Sequence, residues 1–394
     1  MVHLKLKTTA LIVSAILIGV TSCKKDEVEP TPTNPGPSGS DPATVLDCNY
    51  FNEDRVLVDN PNASVDYIVT CKIDIQGDIV IEPGVVIEFE QDAGFNVLTS
   101  LSAVGTAEKP IIFRGVENDP GFWRGVKYNS SNTLNELNYV HVHDAGGLAM
   151  GGNGEKAGVV LYGGSKLKMD NCLVTNSETH GLDASYQTSN LTSFKNNVFK
   201  NNNIPIKISL NQIDAIHESN KCKDNAKDFI LVNTVHMKKA NTWKKSDVKY
   251  RTNGDISLYE LLTINPGVEI EMYQASKINV GSEGGLVAVG TAEDPIILTG
   301  VSKVPKAWQG IYINSPHPEN EIAHVEFHYC GYGEPETNVW LWYNKTLNIH
   351  DVSFENGDGC GVNYKLHFGQ AENQNLTIGS NITVDPGGCV SAEW

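Results

Sequence analysis

Thirteen residues, AVGTAEKPIIFRG from Ala103 to Gly115, return almost unchanged as AVGTAEDPIILTG from Ala288 to Gly300. The repetition reaches well beyond this core. IVIEPGVVIEF (Ile79 to Phe89) answers LTINPGVEIEM (Leu262 to Met272) at an offset of 183, and Tyr67 answers Tyr250. The offset is 185 from Gly105/Gly290 through Pro110/Pro295, Trp123/Trp308 and Gly125/Gly310, and into NELNYVHVH (Asn135 to His143) against NEIAHVEFH (Asn320 to His328). It then falls to 180, where LKMDNCLVTN (Leu167 to Asn176) answers LNIHDVSFEN (Leu347 to Asn356) and Gly181 answers Gly361. A chain written this way is a tandem duplication, and each copy must fold by the same rule.

Inside each copy a shorter period shows. Leu167 recurs as Leu191, Val174 as Phe199 and Leu182 as Ile206, steps of 24 or 25 residues. The segments between are short and alternating (VVIEF, IIF, VKY, YVHVH, LKM), and Gly, Asn, Asp and Pro separate them. Alternation over three to six residues means half-buried strands ended by turn residues. After residue 45 no long stretch carries a helical period. Many short strands on such a repeat predict an all-β chain, a tandemly duplicated β-solenoid whose coils stack inward residues on one another. A β-sandwich array is the alternative. It accounts less well for the 24-residue step and for Asn196, Asn197, Asn201, Asn202 and Asn203, which suit turns stacking in ladders. In the repeated motif, Gly105 closes a turn and Pro110 opens a strand with Ile111 and Phe113 inward, a place where proline is tolerated.

The N-terminus reads as an export segment. Lys5 and Lys7 precede an apolar run from Ala10 to Val20, too short to span a membrane as a mature helix. Val20-Thr21-Ser22-Cys23 resembles the lipobox of bacterial lipoproteins, which implies lipidation at Cys23, and the following KKDEVE resembles the surface-export tag of Bacteroidetes lipoproteins. The Pro/Gly/Ser-rich EPTPTNPGPSGSDPA lacks the apolar residues to fold and predicts a tether. The expected organisation is signal peptide 1–22, tether 23–44, copy one 45–235 and copy two 236–394. An exported chain permits disulfides; without Cys23 seven cysteines remain. Cys48 with Cys71 is the expected pair, at least one thiol is left over, and Cys172, which stands where copy two has Val352, is expected as a buried apolar residue.

Each copy keeps the order LTIxPGVxIxF, LxAxGTAExPIIxxG, WxGI and xxxVxxH, then an Asn-bearing coil. This order resembles the right-handed parallel β-helix repeat proteins among Bacteroidetes surface lipoproteins, which share the scaffold of pectate-lyase-like enzymes. The resemblance implies a fold and an outer-membrane, lipid-anchored address facing the cell exterior. It implies no single activity.

Charge and motifs narrow the chemistry. With 47 acidic against 30 basic residues the net charge is -17, which argues against a nucleic-acid partner. Arginine is confined to Arg55, Arg114, Arg124 and Arg251. There is no GxSxG, HExxH or phosphate-binding glycine loop. Alternation in YVHVH and HVEFH places Tyr139, His141 and His143, and likewise His324, Glu326 and His328, on one outer face, a candidate for a divalent metal or a histidine base. No other cofactor is implied. In NVWLWYN (Asn338 to Asn344) Val339 and Leu341 are expected inward and Trp340 and Trp342 outward; with Tyr312 from the preceding coil they form an aromatic strip, flanked by Asn363 and Lys365. Such a strip suits the apolar faces of sugar rings, unless the loop from Tyr329 to Thr337 folds over it. Asp144, Asp183, Glu326 and Asp358 are available carboxylates, but nothing in the sequence pairs them as a hydrolase requires. GGNGEKAG (Gly151 to Gly158) reads as an inserted loop. The leading expectation is a non-catalytic, lipid-anchored binding or adhesion scaffold for glycan; a polysaccharide lyase or hydrolase and a structural or protein-interaction rod are the alternatives.

Overall fold

Pairs of residues one short period apart are partners in the sheets. Leu167 aligns with Leu191, Val174 with Phe199 and Leu182 with Ile206, each in a parallel ladder. The computed structural model describes residues 41–366, 369–385 and 389–393; the signal segment, Cys23 and the tether up to residue 40 lie outside the described residues. Within them the chain is all-β, with parallel sheets and a single 3₁₀ turn, Leu210–Ala215. This is compatible with the β-helix expected from the sequence. No described helix is long and apolar enough to cross a membrane.

Copy one builds three ladders. The first runs from Thr44–Leu46 through Val86–Phe89, Ile111–Gly115 and Val140–His143 to Val198–Lys200. The second contains Asp78–Ile81, Ser100–Val104 and Lys166–Asp170, and the third Gly94–Val97, Val126–Tyr128, Val159–Leu161, His180–Ala184 and Ile204–Ser209. Alternation decides what is buried. Ile87, Phe113, Val142, Val174 and Phe199 fall in one register file, all fully buried, and this stacking of apolar side chains between successive strands is the main source of stability. Phe89 stacks on Trp123 with ring centroids 3.9 Å apart, and Phe95 and Phe113 meet Phe89 edge-on.

Corners between strands use the left-handed conformation. Tyr139, Asn171 and Asn196 occupy one column of positive φ, and Asp144, Asn176 and Asn201 another. Asparagine and aspartate tolerate this region best, and here their side chains also link the column: Asn196 donates to Asn171, and Asn171 to Asn138. One residue farther on, the buried Asn197 and Asn202 accept the backbone N–H of Cys172 and Ser177 and donate to the carbonyls of Met169 and Val174. The asparagine run is therefore a set of corner ladders, as its composition suggested.

At the seam between copies the pairing continues but shifts face. Ile204–Ser209 of the third ladder pairs with Phe229–Asn233, which pairs with Lys249–Thr252 and then Glu269–Met272 and Ile296–Gly300. The copy-one counterparts of those last two strands, Val86–Phe89 and Ile111–Gly115, belong to the first ladder. A new ladder opens at His236–Met237 and carries Lys277–Val280, Gly310–Ile313, Thr337–Leu341, Cys360–Lys365 and Val390–Glu393, the copy-two equivalents of the third ladder. The described residues, from Asp41 onward, cluster as one unit.

The near-identical thirteen-residue segments differ at three positions, and the structure explains the reversal of charge from Lys109 to Asp294. Lys109 pairs with Asp59 at 2.9 Å, whereas Asp294 pairs with Lys245 at 2.6 Å. Each copy has exchanged the signs of both partners together. Disulfides join Cys48 to Cys71 and Cys360 to Cys389, the first and last turns of the described chain, where a repeat lacks one neighbour. Cys172, Cys222 and Cys330 are buried free thiols; burial pushes the Cys172 thiol up to about 12, so it behaves as an apolar residue.

Candidate functional site

The WxG motif shapes the outer surface of both copies. Trp123 and Trp308 are fully buried, and their indole N–H groups donate to the backbone carbonyls of His143 and His328. Two residues on, Gly125 and Gly310 have φ of +98° and +114°, and a Cβ there would lie 2.3 Å from the Ala157 carbonyl and 2.1 Å from that of Asn338. Only glycine lets the returning chain cross so closely. In each copy the segment after the histidine strand thus leaves the stack and re-enters over the same face. Outward residues of that face align in register: Lys127, Val160, Asp183 and Lys207 in copy one, and Tyr312, Trp340, Asn363 and Ser391 in copy two. Both copies hold a cavity there, of different character.

The copy-two cavity, about 590 Å³, is lined by Tyr312, Trp340, Trp342, Asn363 and Lys365, with Glu334, Pro335 and Glu336 of the crossing loop on one side. All five residues of the predicted strip meet in one place. The Trp340 and Trp342 rings stand edge to face at 6.1 Å, and the Lys365 ammonium lies 5.3 Å from the Trp342 ring. Both sequence alternatives hold in part: Trp340 is 2% exposed, whereas Trp342 is 37% exposed. The loop is tied down by Lys306, which bridges Glu336 and Asp358.

The copy-one cavity, about 420 Å³, is lined among others by Glu155, Lys156, His180, Asp183, Tyr186 and Lys207. Sequence reasoning had Asp183 without a partner and did not single out Glu155. The Glu155 side chain, 6% exposed, pairs with Lys127 at 3.3 Å and accepts from the Tyr186 hydroxyl; Lys127 also sits 3.8 Å above the Tyr162 ring. Burial, and then the Glu155 carboxylate, push the Tyr186 hydroxyl well up. Asp183, 3% exposed, accepts from Lys207 and from the Ser185 N–H, both at 3.0 Å. Two signals pointed to this cavity: the inserted loop GGNGEKAG, which contains Glu155, and the fall in offset from 185 to 180, which marks five extra residues in copy one.

The histidine rows are arranged differently from the expectation. Tyr139 and His324 have φ of +51° and +49°. They are corner residues with left-handed backbone, yet both stay half-exposed, and His324 and Glu326 line one shallow cavity with Asp351 and Ser353. His324 also approaches His350, with ring centroids 6.3 Å apart. His141 and His143 do share a face, edge to face at 6.0 Å. In copy two His328 sits between Glu326 at 3.4 Å and Glu355 at 3.7 Å. Among the described residues no three His, Cys, Asp or Glu side chains converge as metal ligands. Asp144 is a corner bound to Asn176, and Asp358 is held by Lys306.

His143 gives a pH prediction. Burial first, then His141, Arg114 and Lys200, lower its pKa from 6.5 to about 4. The unfolded chain therefore binds a proton that the folded chain refuses, and stability falls as pH drops from about 6.5 toward 4. Allowing for the ring's partial exposure, the loss is about 1–2 kcal/mol. His143→Gln is expected to flatten that part of a urea-midpoint-against-pH curve, and an unchanged slope would refute the assignment.

Compared with known proteins, the chain matches no family model, no curated protein and no solved structure.

Proposed function

We propose that this chain is a lipid-anchored surface scaffold, a duplicated right-handed parallel β-helix held to the outer membrane through Cys23, that binds glycan in the copy-two cavity. The observation that carries the reading is the convergence of Tyr312, Trp340 and Trp342 on one cavity, with Trp342 open to solvent and Lys365 beside it. Aromatic faces bind the CH face of a sugar ring by excluding water, and Asn363 and Lys365 offer polar groups to orient the hydroxyls. An apolar core has no use for a tryptophan at the rim; a ligand does.

The test is a glycan array probed with the full chain. Trp342→Ala, at an exposed position, is expected to weaken binding at least about tenfold while leaving thermal stability unchanged. Absence of binding to any glycan, or binding indifferent to Trp342, defeats the reading. Mass spectrometry of the bound glycans reads out the alternative, a lyase or hydrolase, as cleavage products.

A further inference from the structure

We propose that the copy-one cavity is a second binding site, chemically distinct from the aromatic one, for a neutral polyhydroxylated ligand: a sugar unit recognised by its hydroxyl groups. The cavity stands on its own residues and does not depend on the reading of copy two.

The argument begins with what the fold does not need. Burying charge is costly, and a buried ion pair is commonly no better than apolar residues of the same volume. Copy two has uncharged residues at the same register positions: Tyr312 where copy one has Lys127, and Asn363 where it has Asp183. Copy one nevertheless buries Lys127 against Glu155, and Asp183 beside Lys207. Neither carboxylate is loosely placed. Glu155 is fixed by Lys127 and Tyr186, and Asp183 by Lys207 and a backbone N–H. Charged groups buried and held rigidly around a cavity, at register positions that copy two fills with Tyr312 and Asn363, are arranged for an occupant.

The donor and acceptor pattern says what kind. Glu155 and Asp183 can only accept hydrogen bonds, and Lys156 and Lys207 can only donate. A hydroxyl does both, so neighbouring hydroxyls of a sugar can donate to a carboxylate and accept from an ammonium at once. Two acids face two bases along the wall, so a ligand of either net charge meets repulsion as well as attraction. The volume, about 420 Å³, lies within the roughly 300–1,000 Å³ of small-molecule sites. Tyr186, packed against Tyr162 at 4.5 Å, supplies one apolar edge.

The experiment is saturation-transfer NMR followed by calorimetry on the full chain. The probes are neutral sugars (glucose, galactose, mannose, N-acetylglucosamine and their disaccharides), with glucuronate and glucosamine as charged controls. At least one neutral sugar is expected to bind. Asp183→Asn and Lys207→Met are each expected to weaken it about 10- to 100-fold, as loss of a hydrogen bond to a charged group does, and Trp342→Ala to leave it unchanged. Raising salt tenfold is expected to alter the affinity less than about twofold, since no net charge is neutralised. If Asp183→Asn or Lys207→Met lowers thermal stability, Lys156→Met, on the cavity wall and outside both ion pairs, together with Tyr186→Phe carries the test. Failure of every neutral sugar to bind, binding indifferent to both substitutions, or binding restricted to the charged controls overturns the proposal. Loss on Trp342→Ala alone would place the sugar in copy two and overturn it equally.

Discussion

Replacing Trp123 with alanine is expected to destabilise the protein by about 3–5 kcal/mol, the range for removing a fully buried tryptophan. Two losses combine. The ring leaves a void against Phe89, on which it stacks at 3.9 Å, and the His143 carbonyl loses its donor at 2.7 Å. Trp308→Ala is expected to cost less, because its nearest parallel ring, Phe327, is 6.4 Å away, although the hydrogen bond to His328 is equivalent. Trp123→Phe separates the terms, restoring much of the volume but not the donor. Urea unfolding of the three variants measures the order. A Trp123→Ala cost below about 1 kcal/mol would show that the corner closes without its wedge.

The second large effect is at Glu271. Its carboxylate, 2% exposed, contacts Lys249 at 2.8 Å, Arg251 at 2.5 Å and Lys303 at 3.2 Å. Burial alone would raise its pKa; the hydrogen bonds from Lys249 and Arg251 outweigh burial and lower it. Glu271→Gln leaves three cations crowded together without their counter-charge. Removing one partner of a buried pair costs up to about 3–5 kcal/mol, and the partial exposure of the cations brings the expectation to about 2–3 kcal/mol. The sign with pH follows from the lowered pKa. The stabilisation is fully present above the unfolded value and disappears as pH falls through the folded one. Wild type and Glu271→Gln are therefore expected to differ at pH 7 and to converge in strong acid. A gap that persists at low pH would mean that shape, not charge, holds the site. Copy one has only the pair of Glu88 with Arg114 here, at 2.8 Å; copy two has Thr299 in place of that arginine and draws its cations from Lys249, Arg251 and Lys303.

Parallel pairing with stacked inward residues was legible because the same residue types recur at the step that sets the register. Leu167 with Leu191 and Val174 with Phe199 needed only the 24- or 25-residue period. The aromatic cavity was legible for a related reason. Alternation sent Trp340 and Trp342 to one face, and the register placed Tyr312 beside Trp340. The corners were not legible. Counting alternate residues across Tyr139 or His324 assumes extended backbone, and a left-handed residue shifts the count. The copy-one cavity was hidden more deeply. Glu155 meets Lys127 only because Val126 aligns with Val159, a step of 33 residues that the short period does not contain. An insertion announces that a loop exists, not what its side chains reach.

The change of face at the seam has a consequence for valency. The copy-one cavity opens on the ladder that continues into Lys249–Thr252, while the copy-two cavity opens on the ladder begun at His236–Met237. If both cavities bind as proposed, a single linear chain gains avidity only by reaching both ladders at once. On that reading the duplication makes a node, two sockets of different chemistry on different ladders, suited to joining separate strands or separate branches of a surrounding mesh.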